Sequence, residues 1–106
     1  MKQWLMIVTP ARSDILVSGP SPEEAVLVGA HFSYWQELVQ RRQALMVGRM
    51  QTTIPETMGL AVFLAEDEAA ARTICEADPA VVGGVFAMRL YPYHVALLGD
   101  PEPFRP

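Results

Sequence analysis

Apolar residues change their spacing several times along this chain, and each change marks an element. Gln3 to Thr9 is an apolar, partly β-branched run closed by Pro10, which predicts a first strand. Ala11 to Pro20 has turn chemistry at both ends and predicts an irregular connection long enough to border a site. A helix start follows. Ser21 suits the cap, Pro22 the first helical position and Glu24 the third position of a capping box. Val28, Phe32, Trp35 and Val39 then recur at spacings of four, three and four, flanked by Leu27, Tyr34 and Leu38, so the helix should run from Pro22 to about Arg42 with a broad apolar face. Arg41 and Arg42 complement the negative end of its dipole.

The rest of the chain reads as strand, strand, helix and strand. Ala44–Met50 and Met58–Ala65 read as strands joined by a polar loop that holds Pro55. Asp67 caps a helix from Glu68 to Ala77, which Pro79 stops or follows. Val85 to about Leu90 or Tyr91 is the fourth strand, with Tyr91–Leu98 as an edge continuation and proline-rich Gly99–Pro106 as a tail outside the domain of residues 1–98. The order βαββαβ is that of the α+β ferredoxin-like split motif, an antiparallel sheet with both helices on one face. Its strands are apolar on both faces, however. Leu5 and Ile7 alternate with Trp4, Met6 and Val8, which predicts a second layer over the open face, and a homodimer paired through its sheets supplies one.

Composition narrows the function classes. A chain of 106 residues makes one domain with one small core, and an apolar fraction of 51% excludes a disordered chain. Eight basic residues and a net charge of −4 offer no footprint for nucleic acid. No stretch approaches the roughly 18 apolar residues of a membrane span, and the N-terminus reads as a strand instead of a signal peptide, so the expectation is a soluble cytoplasmic protein. Cys75 is the one cysteine, and with two histidines in no ligand spacing neither a metal site nor a cofactor is expected. Gly83-Gly84 lacks the lysine or third glycine of a phosphate loop, and no Gly-x-Ser-x-Gly elbow occurs.

His31 is the most informative residue. It stands four positions from both Leu27 and Trp35, on or beside the apolar face, and a histidine there is either a satisfied packing residue or a proton carrier. Asp78, closing the second helix, is of the right type to orient it, although 47 positions separate the two and only the fold can join them. Arg12, after the first strand, and Arg49, in Val47-Gly48-Arg49, are the basic residues best placed for an anionic substrate, with Tyr34 as core or a substrate-contacting pocket wall. His94 falls at a strand end, where exposure or a subunit contact is the simpler role.

Ser21-Pro22-Glu23-Glu24, His31 to Leu38, Leu45-Met46-Val47-Gly48-Arg49 and Glu76-Ala77-Asp78-Pro79-Ala80 together resemble the YCII-related (YciI-like) family of the dimeric α+β barrel superfamily. The individual motifs are short; their order and spacing over residues 2 to 98 carry the likeness. The resemblance implies a ferredoxin-like subunit paired through its sheet and a pocket whose His–Asp pair maps onto His31 and Asp78. It also implies a cofactor-independent acid–base role on a small organic substrate, by elimination, isomerisation or hydrolysis; one related enzyme eliminates chloride from a chlorinated aromatic intermediate. A non-catalytic dimeric module that binds a small ligand or a protein is the alternative. One departure stands out. The family's helix-to-strand turn usually holds a glycine, and Arg41-Arg42-Gln43-Ala44 has none.

Overall fold

Alternation in the first strand sets the layers. In the computed structural model, which describes residues 1–105, β1 (Lys2–Pro10) buries Trp4, Met6 and Val8 on one face and leaves Leu5 and Ile7 half-buried on the other. The remaining elements are α1 (Ile15–Ser18), α2 (Pro22–Gln40), β2 (Ala44–Arg49), β3 (Gly59–Ala65), α3 (Glu68–Glu76), α4 (Pro79–Val82), β4 (Phe86–Pro92) and a 3₁₀ turn (Glu102–Phe104). The strands form one antiparallel sheet in the order β2-β3-β1-β4. This is the α+β, ferredoxin-like βαββαβ arrangement that the element order predicts.

Register decides which side chains share a face. Trp4 pairs with Phe63, Met6 with Ala61 and Leu90, and Val8 with Gly59 and Met88. These residues meet Trp35 and Leu38 of α2 and Ala71 and Cys75 of α3 in a single core. Leu5, Ile7, Leu64 and Tyr91 point the other way, where no helix packs.

The ends of the elements differ from the sequence expectations in instructive ways. The connection after β1 contains the single helical turn α1, in which the Ser18 hydroxyl donates to the Asp14 carbonyl. Pro79 does not merely follow a helix; it begins another, because Asp78 caps α4 and proline suits the first helical position. Of the expected edge continuation Tyr91–Leu98, only Tyr91 and Pro92 belong to the strand. Beyond Pro92, the Tyr93 and Val95 amides donate to the Gln3 carbonyl and side chain, at 3.1 and 2.7 Å, and the chain leaves the sheet.

Two helices close with the same backbone motif but different residues. At the end of α2 the amides of Arg42 and Gln43 reach back to the carbonyls of Val39 and Leu38, and Arg42 takes φ +61°. At the end of α4, Gly84 holds φ +75° while its own amide and that of Val85 reach back to Val81 and Ala80. Glycine holds the left-handed conformation freely, whereas an arginine there costs about 1 kcal/mol. The missing glycine of the α2 turn therefore leaves the turn unchanged. It shifts neither β2 nor Arg49 out of the sheet.

Candidate active site

The site grows from the start of α2. Ser21 Oγ accepts the Glu24 amide at 3.2 Å and the Glu24 carboxylate accepts the Ser21 amide at 2.8 Å, a complete capping box that fixes where the helix begins. Two and a half turns later the helix delivers His31 and Trp35, one turn apart, to the same carboxylate. Asp78 Oδ2 lies 2.5 Å from His31 Nδ1 and accepts the Trp35 indole N–H at 2.8 Å, and Oδ1 accepts the Ala80 amide at 2.9 Å. Asp78 is completely buried.

An unpaired carboxylate in that position would not stay ionised. Burial pushes the Asp78 carboxyl up, but hydrogen bonds from His31 and Trp35, the attraction of His31 in its imidazolium form and the Ala80 amide together outweigh it and hold the group below its usual value. A carboxylate accepts only, so His31 Nδ1 carries a proton and donates it. The lone pair of the neutral ring is then on Nε2. That atom has no hydrogen-bond partner among the described residues and is not sealed from solvent. Phe86 packs against the ring at 5.1 Å in an edge-to-face arrangement and limits its rotation.

His31 faces a cleft of about 1310 Å³ between α2 and the β2 side of the sheet, walled by Val28, Phe32 and Val39 of the helix and by Val47 and Arg49 of the strand. This exceeds the roughly 300–1,000 Å³ of ordinary ligand pockets, as expected of a groove that one side leaves open. Val8, Gly59 and Arg49 lie in one row across its floor. A Cβ on Gly59 would come within 2.9 Å of Val8 Cγ2, so only glycine lets the two strands approach there without crowding the floor. Three strand spacings separate β2 from β4, which puts the Arg49 backbone about 14 Å from that of Met88 in the same row, two residues along β4 from the Phe86 that packs against His31. Arg49 has no carboxylate within ion-pair distance among the described residues. Buried Thr57 and its partner Thr52, with hydroxyls 2.5 Å apart, line the cleft in the loop that follows Arg49.

Other residues singled out from the sequence stand elsewhere. Arg12 is engaged by Glu24 at 2.5 Å and Asp14 at 3.0 Å, donates to the Gly19 carbonyl, and does not line the cleft. Those contacts fasten the β1–α2 connection and leave no free fork for a substrate's charge. Tyr34 is also turned away; its hydroxyl donates to the Ile74 carbonyl at 2.7 Å, tying α2 to α3, and burial followed by the Asp78 charge pushes its pKa up. Cys75 is buried in the core, and burial pushes its thiol up to about 12, which makes it inert. His94 is exposed. No cluster of three metal-ligating side chains occurs among the described residues, and no helix is long and apolar enough to cross a membrane.

Sequence reasoning missed three contributors. The spacing marks Trp35 only as part of the apolar face of its helix, yet a buried indole needs an acceptor, and a helix turn from His31 the same carboxylate supplies it. Phe104 and Arg105 belong to a tail without periodicity, but both line the cleft.

Comparison with known proteins agrees with this architecture. No functionally curated protein sequence matches the chain. Among solved structures, the fold is similar to that of 5-chloro-2-hydroxyhydroquinone dehydrochlorinase from Burkholderia phenoliruptrix AC1100 in complex with 2,5-dihydroxybenzoquinone, with a TM-score of 0.61 and 17% identity over 86% of this chain and 93% of that one. At that identity the likeness establishes the fold alone, an antiparallel four-stranded sheet with helices packed on it. The YCII-related domain profile matches residues 3–92, nearly the whole of the sheet and its helices, and the chain therefore belongs to the YCII-related family.

Proposed function

We propose that the protein is a small cofactor-independent enzyme that moves a proton on a small organic anion, with His31 as base and acid, Asp78 as its orienting partner and Arg49 as the anchor for substrate charge. The observation that carries this reading is the His31–Asp78 contact of 2.5 Å at the wall of a cleft, with Nε2 left unpaired. A ring proton or hydroxyl proton passes to Nε2. The electron pair left on the substrate expels a leaving group from a neighbouring carbon, and the imidazolium, stabilised by Asp78, returns its proton to the departing group or to water. Elimination, isomerisation and hydrolysis all use that pair of proton transfers. The dehydrochlorinase with the similar fold makes elimination from a halogenated hydroxylated ring the first reaction to assay.

Dimerisation through the open sheet face belongs to the same proposal. Leu5, Ile7, Leu64 and Tyr91 give that face an apolar surface with no helix over it. Sedimentation equilibrium at micromolar concentration should return a dimer; a monomeric mass removes this part of the reading.

Turnover is tested by chloride release from chlorinated hydroxyhydroquinones and by product analysis on hydroxylated aromatic acids, comparing wild type with His31→Ala. The expected loss is about 10²–10⁴-fold, the usual contribution of one positioned acid–base group. Equal turnover by the variant would sink the assignment of His31. Binding without consumption across the panel would instead favour the non-catalytic ligand-binding module.

A further inference from the structure

The cleft and the chain differ in charge. Acidic side chains outnumber basic ones by 12 to 8 in the sequence. The cleft lining nevertheless includes Arg49 and Arg105 and contains no Asp, Glu or Lys. Arg105 and its neighbour Phe104 come from the C-terminal segment, outside the residues 3–92 that the family profile matches. Their presence is thus a property of this chain beyond the shared domain.

The segment reaches the cleft along a defined course. It leaves β4 at one edge of the sheet, where Tyr93 and Val95 are held by Gln3. Val95 and Leu98 then border a groove with Leu45 and Val62 beside β2, at the opposite edge. Asp100 accepts the Glu102 amide at 3.0 Å and opens the 3₁₀ turn that carries Phe104 and Arg105 to the cleft.

Both residues are open to a ligand. Arg105 meets Glu102 at 3.2 Å, but their side chains are 65% and 78% exposed, and so solvated a pair exchanges partners at little cost. Phe104 is 89% exposed and Phe32, across on α2, 64%. These are two aromatic surfaces on one cleft with little packed against them. Guanidinium groups match the two oxygens of a carboxylate, and aromatic faces cover a flat ring.

We infer that Phe104 and Arg105 complete the cleft as a recognition wall, which together with Arg49 selects ring-bearing substrates that carry a carboxylate. The inference rests on the reading of the cleft as a substrate site and names the class of substrate. The wall sets which anion is held, and His31 stays the group that meets the reacting proton.

Two probes sharing one ring, 2,5-dihydroxybenzoate and hydroquinone, test it by isothermal titration calorimetry. Wild type should prefer the carboxylate by at least about tenfold, and Arg105→Gln should lose about 5- to 30-fold of affinity for the acid while holding hydroquinone as before. A chain ending at Gly99 should lose at least as much. Arg105 is exposed, so its replacement leaves the fold intact. The inference is overturned if wild type binds neither probe or binds both equally, or if Arg105→Gln and the shortened chain hold the acid as tightly as wild type. The two readings fail separately. Carboxylate preference that depends on Arg105, with no turnover of any substrate, removes the acid–base enzyme and leaves the wall; turnover that depends on His31 but is indifferent to Arg105 and to the carboxylate does the reverse.

Discussion

Two carboxylates in this protein each lie 2.5 Å from a nitrogen base, Glu24 from Arg12 and Asp78 from His31, and helix α2 takes part in both pairs. Both carboxyls are held below their ordinary pKa, by different means. Glu24 falls to about 2 because Arg12 donates to it, with the Ser21 amide adding a second hydrogen bond. The Arg12 side chain is 40% exposed, so water stands ready to replace it. Asp78 has no exposed surface, and its ionised form exists against the penalty of burial, sustained by His31, Trp35 and the Ala80 amide. Similar distances therefore conceal different sensitivities. Removing a partner from the first pair exposes a charge to solvent, and removing one from the second strands a charge in the core.

The sharpest way to break this comparison is at Asp78. Asp78→Ala removes the α4 cap and leaves the Trp35 N–H and His31 Nδ1 without an acceptor, and the expected loss is about 3–5 kcal/mol in urea unfolding. Asp78→Asn can still accept the Ala80 amide, and should lose roughly half as much. The difference between wild type and Asp78→Asn is also pH-dependent. The folded-state pKa is lowered from 3.8, so the stabilisation is complete above the unfolded value and is lost as pH falls through the lower folded value. Unfolding curves should converge below about pH 4. A gap that persisted undiminished into strong acid would mean that Asp78 is neutral in the native protein.

His31 should matter less to stability than Asp78, because Trp35 and Ala80 continue to hold the carboxylate when the imidazole is gone. The expected cost of His31→Ala is about 1–3 kcal/mol. Cys75 offers an independent reading of the same region. Buried in α3 and with its thiol near 12, it should resist maleimide in the native state. Labelling should accelerate by about tenfold or more in Asp78→Asn, as local opening becomes easier, and change little in Glu24→Gln. Comparable acceleration in both would erase the contrast between the two pairs.

Much of the scaffold was legible in the sequence because local chemistry and long-range packing agree there. Ser21, Pro22 and Glu24 announce the start of α2, and the structure contains the full capping box. Alternation in β1 separates the core side chains Trp4, Met6 and Val8 from Leu5 and Ile7. The site was less legible wherever one residue has two local meanings. Asp78-Pro79 reads equally as a turn after one helix and as cap and first position of the next, and four residues of α4 are too few for a periodicity to decide. Arg12 looked free because its partner Glu24 lies across an irregular connection. Phe104 and Arg105 carry no pattern, for their place depends on how the chain passes β2 and not on their own spacing.

The smallest expected effect belongs to the solvated pair, and it sharpens the contrast from the other side. Glu24→Gln keeps an oxygen for the Ser21 amide and leaves Ser21 Oγ to accept from residue 24, so the capping box survives while the ionic attraction to Arg12 goes. Thermal unfolding should shift less than in either His31→Ala or Asp78→Asn, and the shift should vanish at about 1 M NaCl, where the screening length falls to about 3 Å. Its pH dependence has the same sign as that of Asp78, with the window set by the two pKa values. The pair contributes fully above the ordinary value of 4.5 and loses its contribution as the pH falls towards 2. Salt separates the two carboxylates where pH cannot, since ions reach Arg12 but not the buried oxygens of Asp78. A salt-insensitive Glu24→Gln effect as large as that of Asp78→Asn would show that the exposed pair is as hard to replace by water as the buried one.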